Sequence, residues 1–334
     1  MTRVWVVTLN WNNAVDTIDC LESVLAVNDP AITGVVVCDN GSTDASLHSL
    51  RSWLRRRARH WQELVCEGPA PAMAWRAIDG PGITVPNGEV GFVLIRNGAN
   101  LGFSAGNNVG LRWIMQQAAY DHVLVLNNDT VLTPGAVSAM ATRQSGDPTI
   151  GICGATVVYA HTPDTVQALG GSAFDPWIGR ARHVGGHQSR SAPRDRNAVE
   201  AQLDYIIGAA MMISRPCLEA VGLLYEGYFL YYEEIDWALR VRRAGFRLGY
   251  APDAEILHKE GATIGSSSNR AKRSLVSEHY LFSSRSRFTW RFYPWFLPSV
   301  MAIDLMRVLR SLMDRDPRRA FVQLRAMLGL PRGA

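Results

Sequence analysis

The sequence predicts an α/β fold: a mostly parallel sheet flanked by helices and followed by a helical C-terminal extension. Three observations point there. Short runs rich in Val and Leu at residues 4–9, 34–38, 91–95 and 123–126 are near-continuous rather than alternating, as strands buried on both faces are. Helical patterns separate them, and such alternation predicts parallel strands joined by right-handed crossovers. Polar clusters rich in carboxylates follow apolar runs directly: Asp39-Asn40-Gly41-Ser42-Thr43-Asp44, Asn127-Asn128-Asp129 and Glu233-Glu234-Ile235-Asp236. Ligands of open α/β sheets sit beyond the carboxyl ends of strands. Carboxylates gathered there suggest a metal ion and a general base more than surface salt bridges.

Residues 4–9 read as the first strand, and 17–27 as a helix with Ile18, Leu21, Val24 and Leu25 on one face. After the second strand, 34–38, Asp44 reads as the N-cap of a helix through Leu47, Leu50 and Leu54. Residues 66–91 carry Pro and Gly without a period and predict an irregular excursion. Strand three (91–95), a loop rich in Gly and Asn, a helix near 107–118 and strand four (123–126) close the first half. Further strands are expected at 151–158 and 205–213, separated by a polar, Arg-rich stretch at 170–197. A helix from Glu233 should run to about Ala244 and stop at Gly245. A strand near 247–251 and the run Ile256-Leu257-His258 come next. Residues 259–269, rich in Gly and Ser, predict a mobile segment, and the remainder reads as helices broken by Pro294, Pro298 and Pro317.

Composition narrows the classes. Hydrophobic residues make up 47% of the 334 and charged ones 19%, which argues against disorder. The cysteines (Cys20, Cys38, Cys66, Cys153, Cys217) are odd in number and lack Cys-x-x-Cys spacing, against a disulfide framework or structural zinc and for a reducing, cytoplasmic compartment. No signal peptide is evident. The apolar stretches reach about half of the roughly 20 residues a membrane span requires, so the chain reads as soluble or peripheral. Charge is unevenly spread. From Arg270 onward 13 Lys or Arg face four acids, a balance of +9, so with +4 overall the preceding part carries −5. A basic tail suggests an anionic partner surface. The segment Trp290-Arg291-Phe292-Tyr293-Pro294-Trp295-Phe296-Leu297 interleaves aromatics with a cation and fits a membrane interface; helices packed back on the body are the alternative. Nucleic acid is not expected, since no recognised binding module surrounds these residues.

The site residues follow from the strand exits. No G-x-G-x-x-G follows the first strand, which excludes the usual dinucleotide-binding unit. Asp39 can accept hydrogen bonds from a base or ribose, or it can brace a turn while Asp44 caps a helix. The segment from Asn97 to Gly110, with Asn100, Gly102, Phe103, Gly106, Asn107 and Asn108, reads as a loop able to wrap a flat ligand, or as a strand-to-helix turn. Asp129, with the amide oxygen of Asn127, can ligate Mg2+ or Mn2+, or the tripeptide is another turn. His258 is either structural or a third ligand. Glu233, Glu234 and Asp236 complement a helix dipole, or their crowding beside Tyr228-Phe229-Leu230-Tyr231-Tyr232 raises one carboxyl's proton affinity for base catalysis. Arg180, Arg182 and His183 are either phosphate or acceptor contacts or plain surface residues.

Taken together, residues 4–258 resemble the family-2 inverting glycosyltransferases of the GT-A fold, with a Rossmann-like sheet, and within them bacterial rhamnosyltransferase-like members that build surface polysaccharide. The resemblance rests on the D-N-x-S-x-D stretch at Asp39, the N-x-G-F-x-x-G-N-N-x-G segment from Asn100 to Gly110, the N-x-D variant at Asn127-Asn128-Asp129, and Glu234 where an aspartate is usual. It implies a catalytic body at 1–269, nucleotide-binding to about 130 and acceptor-binding thereafter, with a basic extension at 270–334. It also implies a divalent metal (Mg2+ or Mn2+) on Asp129, Asn127 and His258, and a dTDP- or UDP-sugar, best dTDP-rhamnose, as donor. The donor would be held by Thr8, Asn10, Asp39, Asn40, Ser42, Asp44, Asn97, Asn100, Gly102, Phe103, Gly106, Asn107, Asn108 and Asn128. Glu234 is the first choice of base, then Asp236, then Glu233. The expected acceptor is a saccharide or lipid-linked saccharide, met at the inner face of the cytoplasmic membrane. A catalytically inactive carbohydrate-binding or scaffold subunit is the competing function. A nucleotidyltransferase lacks its Gly-rich segment with Arg and Lys here.

Overall fold

Val, Leu and Ile runs form the centre of an 11-stranded sheet in a computed structural model that describes residues 2–68, 73–86, 88–260 and 273–331. The first half supplies β1 (Val4–Asn10), α1 (Ala14–Val27), β2 (Ile32–Asp39), α2 (Ser46–Arg57), β3 (His60–Glu67), β4 (Ala74–Gly82), β5 (Gly91–Arg96), α3 (Gly102–Gln117) and β6 (His122–Leu126). Then come β7 (Thr130–Leu132), α4 (Ala136–Ser145), β8 (Ile150–Tyr159), β9 (Val166–Leu169), β10 (Gly171–Asp175), β11 (Arg180–His183), α5 (Arg196–Glu200), β12 (Tyr205–Ile206), β13 (Ala210–Ser214), α6 (Arg215–Val221), α7 (Glu233–Arg243) and β14 (Arg247–His258). The tail folds as α8 (Leu275–Phe292), a 3-10 turn at Pro294–Phe296, α9 (Leu297–Met313) and α10 (Pro317–Met327).

The strand order is β4-β3-β5-β2-β1-β6-β13-β8-β14-β7, with β9 beside β8. Strands β3, β5, β2, β1 and β6 run parallel, and β13 enters antiparallel between β6 and β8. Alternate residues of each central strand face different layers. Val4 and Val6 pack on the side of α1 and α2, whereas Trp5 and Val7 pack on the side of α3 and α7. Covered on both faces, these strands need no polar alternation, which is why their apolar runs are continuous.

Several expectations change. Residues 66–91 are not an irregular excursion throughout: β3 and β4 pair antiparallel there at the sheet edge, where Pro and Gly are tolerated. The segment 97–110 is not one loop, because α3 begins at Gly102. An added Cβ at Gly106 would stand 2.7 Å from a Leu9 methyl, and one at Gly110 2.9 Å from the Cys38 sulfur. These glycines bring α3 close onto the sheet. Residues 205–213 form two strands in different sheets, β12 and β13, broken at Ile207-Gly208-Ala209. Strand β14 is continuous from 247 to 258, with a register shift between Ala251 and Glu255. Residues 261–269 of the expected mobile segment lie outside the described residues.

The tail is built into the body. Phe288 of α8 is fully buried, its ring 5.3 Å from Tyr232 and 5.4 Å from Phe174. Pro298 and Pro317 start helices rather than break them, sitting in first turns where no N–H partner is required.

Candidate active site

One edge of the sheet collects the predicted clusters. Strands β1, β2 and β6 end there at Asn10, Asp39 and Leu126, with Asn10 directly beside Asp39. Antiparallel β13 starts at the same edge, where Ala210 pairs with Leu126. The Asn127 amide donates to the Ala209 carbonyl at 3.0 Å. Strand β14 ends at His258, opposite Thr130.

At the β1/β2 end, Asp39 is buried and braces a turn. It accepts from Asn10 Nδ2 at 2.9 Å and from the Ser42 amide at 3.2 Å. Asn10 is in turn held by Ser42 (3.0 Å) and by the Thr17 hydroxyl (2.7 Å). Asp44 is exposed and accepts from the Ser46 amide at 2.9 Å, so it anchors the start of α2 one residue ahead of the cap position, Ala45. The buried Thr8 hydroxyl has no hydrogen-bond partner among the described residues.

The Asn-rich segment is largely spent on the fold. Asn40 accepts from Asn97 Nδ2 (3.2 Å) and the Leu101 amide (3.1 Å), and donates to Asn100 Oδ1 (3.0 Å) and the Gly102 carbonyl (3.2 Å). Asn108 grips Leu224 through both its amide atoms, and Asn107 Nδ2 reaches the Phe103 carbonyl at 2.9 Å. The Phe103 amide donates to the Phe229 carbonyl at 2.7 Å, tying α3 to the segment before α7. Asn40, Asn97 and Asn100 thus link β2 to the start of α3, and Asn108 links α3 to Leu224, while the buried side-chain oxygens of Asn97 and Asn107 have no hydrogen-bond partner among the described residues.

At the β6 exit, His258 Nε2 lies 3.1 Å from Asp129 Oδ1, both side chains buried. His258 Nδ1 sits 2.8 Å from Gln167 Oε1, a second contact that sequence reasoning missed. With His258 Nδ1–H donating to the Gln167 oxygen, two lone pairs face each other across the Asp129–His258 gap. That arrangement needs a cation or a proton between them. Asn127, two residues before Asp129, is half-buried, while Asn128 donates to Thr17 Oγ1 at 2.9 Å. A carboxylate and an imidazole facing each other fit two ligands of a divalent ion, though no cluster of three His, Cys, Asp or Glu occurs among the described residues.

The acidic segment opens α7. Glu234 lines a cavity of about 680 Å3 between β11, α7 and the tail helices, with Arg180, His183, Tyr205, Tyr231, Arg307 and Arg310 among its walls. Burial raises its carboxyl to about 6, partly offset by hydrogen bonds from its own amide and that of Gly208. An added Cβ on Gly208 would stand 2.5 Å from Glu234 Oε1, so glycine is needed for this approach. Glu233 is more deeply buried, and desolvation together with the Glu234 charge holds its carboxyl well above the usual range. Asp236 does not face the cavity. It is fully buried and clamped by Arg240 (2.7 Å) and Arg291 (3.1 Å), with Tyr228 donating at 3.3 Å. Arg182 lies outside the cavity wall, whereas Arg180 and His183 belong to it.

Solved structures share this architecture. A mannosyltransferase from Pyrobaculum calidifontis, solved with GDP-mannose and Mn2+, superposes over 98% of this chain and 87% of its own at TM-score 0.53 and 14% identity. A GalNAc-T7 structure with UDP, GalNAc and Mn2+ superposes over 95% of this chain and 58% of its own at TM-score 0.53 and 14% identity. The fold is therefore GT-A. In sequence, a low-salt glycan biosynthesis hexosyltransferase of Haloferax volcanii is 30% identical over 50% of this chain, which spans about half (51%) of that relative's length. An N-acetylglucosaminyl-diphospho-decaprenol L-rhamnosyltransferase of Mycobacterium tuberculosis is 26% identical over 68% of this chain and 78% of its own. A family model described as glycosyltransferase like family 2 matches residues 83–276, more than half the chain, from β5 through β14 and into α8. The chain belongs to glycosyltransferase family 2.

Proposed function

We propose that this protein moves a sugar from a nucleotide-sugar donor to a hydroxyl of a saccharide or lipid-linked saccharide, with inversion, using Glu234 as general base. The carrying observation is the position of Glu234. It sits at the cavity wall against Gly208, one residue from the Ala209–Asn127 bridge that leads to Asp129. A carboxyl raised to about 6 is ionised at neutral pH yet still a competent proton acceptor. Glu233, whose carboxyl burial and the Glu234 charge push up, is not among the residues lining the cavity.

In the proposed step Glu234 takes the proton of the acceptor hydroxyl. The oxygen forms a bond to the anomeric carbon while that carbon's bond to the nucleoside diphosphate breaks, and the single displacement inverts the centre. Asp129 and His258, with Asn127 two residues before Asp129, would hold Mg2+ or Mn2+, which when bound supplies Lewis-acid stabilisation to the leaving diphosphate. Asp39 offers lone pairs for the base or ribose at the strand end. The relative named as an L-rhamnosyltransferase of N-acetylglucosaminyl-diphospho-decaprenol supports rhamnose as the sugar and a lipid-linked saccharide as the acceptor, with dTDP-rhamnose the proposed donor and surface polysaccharide the proposed setting.

The tail favours peripheral attachment to an anionic membrane from the cytoplasmic side. Among the described residues no helix is long and apolar enough to cross a membrane. Instead α9 exposes Leu305, Leu309 and Leu312, and α10 exposes Phe321 and Leu324, with Leu328 exposed just past its end and Arg310, Arg315 and Arg318 exposed alongside. Apolar stripes edged by arginines suit a lipid headgroup region.

The test is a transfer assay over dTDP- and UDP-sugars with Mn2+ and polyprenyl-linked saccharide acceptors. Transfer from dTDP-rhamnose, with Asp129→Ala weakening metal-dependent nucleotide binding about tenfold or more, is the expected result. Absence of transfer with every donor, while carbohydrate still binds, supports the inactive scaffold instead.

A further inference from the structure

We infer that Arg180, Arg307 and Arg310 form a subsite for a phosphate or diphosphate group carried by the acceptor, an inference that rests on the glycosyl-transfer reading above. Five arginines line the cavity that holds Glu234, against the two carboxylates Glu234 and Glu278. Two of the five are matched locally. Arg285 is buried against Asp304 at 2.7 Å, and Arg273 lies 3.6 Å from Glu278.

The other three are less fully matched. Arg180 makes no ion pair among the described residues, and the Arg310 guanidinium, 74% exposed, is 3.9 Å from Asp314. Arg307 gives Nη1 to Asp304 at 3.0 Å, and its other N–H groups make no hydrogen bond among the described residues on a side chain that is 27% exposed. Guanidinium groups converging on a cavity with so few carboxylates favour a multiply charged oxyanion, which their forked donors bind bidentately.

Position identifies whose anion it is. The nucleotide's place is at the strand ends near Asp39 and Asp129, whereas these arginines share walls with the proposed base, where the attacking hydroxyl must lie. Arg307 and Arg310 come from α9, whose opposite face is the exposed stripe Leu305, Leu309 and Leu312. A saccharide joined through diphosphate to a long apolar chain satisfies all three surfaces at once: hydroxyl at Glu234, diphosphate at the arginines, hydrocarbon along α9.

Isothermal titration of the full chain tests this with farnesyl diphosphate, inorganic pyrophosphate, farnesol and dTDP as probes. Farnesyl diphosphate should bind more tightly than pyrophosphate, farnesol should not bind, and added salt should weaken the first two. The double variant Arg180→Ala/Arg310→Ala should bind farnesyl diphosphate about tenfold or more weakly, with dTDP affinity unchanged. Unchanged diphosphate binding in the variant, or displacement of farnesyl diphosphate by saturating dTDP, overturns the subsite. Equal affinity for pyrophosphate and farnesyl diphosphate overturns the assignment to a lipid-borne acceptor. If dTDP fails to bind the parent while farnesyl diphosphate still does, the nucleotide-sugar reading fails and the subsite stands.

Discussion

Glu233, Glu234 and Asp236 lie within four positions of one another and meet three environments. Asp236 turns inward to Arg240 and Arg291, Glu233 is desolvated, and Glu234 faces the cavity. Removing the Asp236 charge leaves two arginines without their buried partner, so Asp236→Asn should lower stability by about 3 kcal/mol, read as a drop in denaturation midpoint. Glu234→Gln should differ in sign near neutrality. A carboxyl whose pKa rises on folding favours the folded state below its unfolded value of 4.5 and loses that advantage as pH climbs through about 6. The variant should therefore gain on the parent at pH 7 relative to pH 5 in the same melts. The acidic segment itself is legible in the sequence. Spacing could pair Asp236 with Arg240 four residues on, but Arg291 is 55 positions away in sequence and invisible without the fold. A separation of 91 positions likewise hides Gln167 from His258.

At the scale of elements, the central strands and most flanking helices were readable because each run keeps one period and one pair of buried faces. The segment from 97 to 110 was not. Its Gly and Asn content matches a ligand-wrapping loop and a tightly docked helix start equally well, and only the sheet beneath Gly106 and Gly110 decides. Strand β4 was missed because an edge strand rich in Gly and Pro carries little apolar pattern. The tail shows two faces: α8 completes the core, while α9 and α10 present apolar stripes outward. Liposome flotation with anionic vesicles should recover the parent and not Leu305→Glu/Leu309→Glu, since two charges there oppose insertion. Equal recovery of the two proteins would remove the membrane assignment.

Across the whole molecule, β13 runs back between β6 and β8 and so brings segments far apart in sequence to one edge of the sheet. Its entry carries Gly208, which Glu234 approaches, and Ala209, which the Asn127 amide bonds, to the edge where β1, β2 and β6 end, while Asp39, Asp129 and His258 are not among the residues lining the Glu234 cavity. The topology that does this was only partly legible. Parallel alternation was apparent in the first half, but nothing in the run at 205–213 announces a break into two sheets. The catalytic proposal depends on this convergence and on Glu234 being the group that loses a proton. The most direct measurement is the pH dependence of kcat for transfer by the parent and by Glu234→Gln, with donor affinity measured alongside. The parent should lose activity on an acid limb with a midpoint near pH 6. The variant should be slower by about 10²- to 10⁴-fold at pH 7.5, with donor affinity unchanged. A Glu234→Gln enzyme that keeps the parent's rate and acid limb would contradict the account.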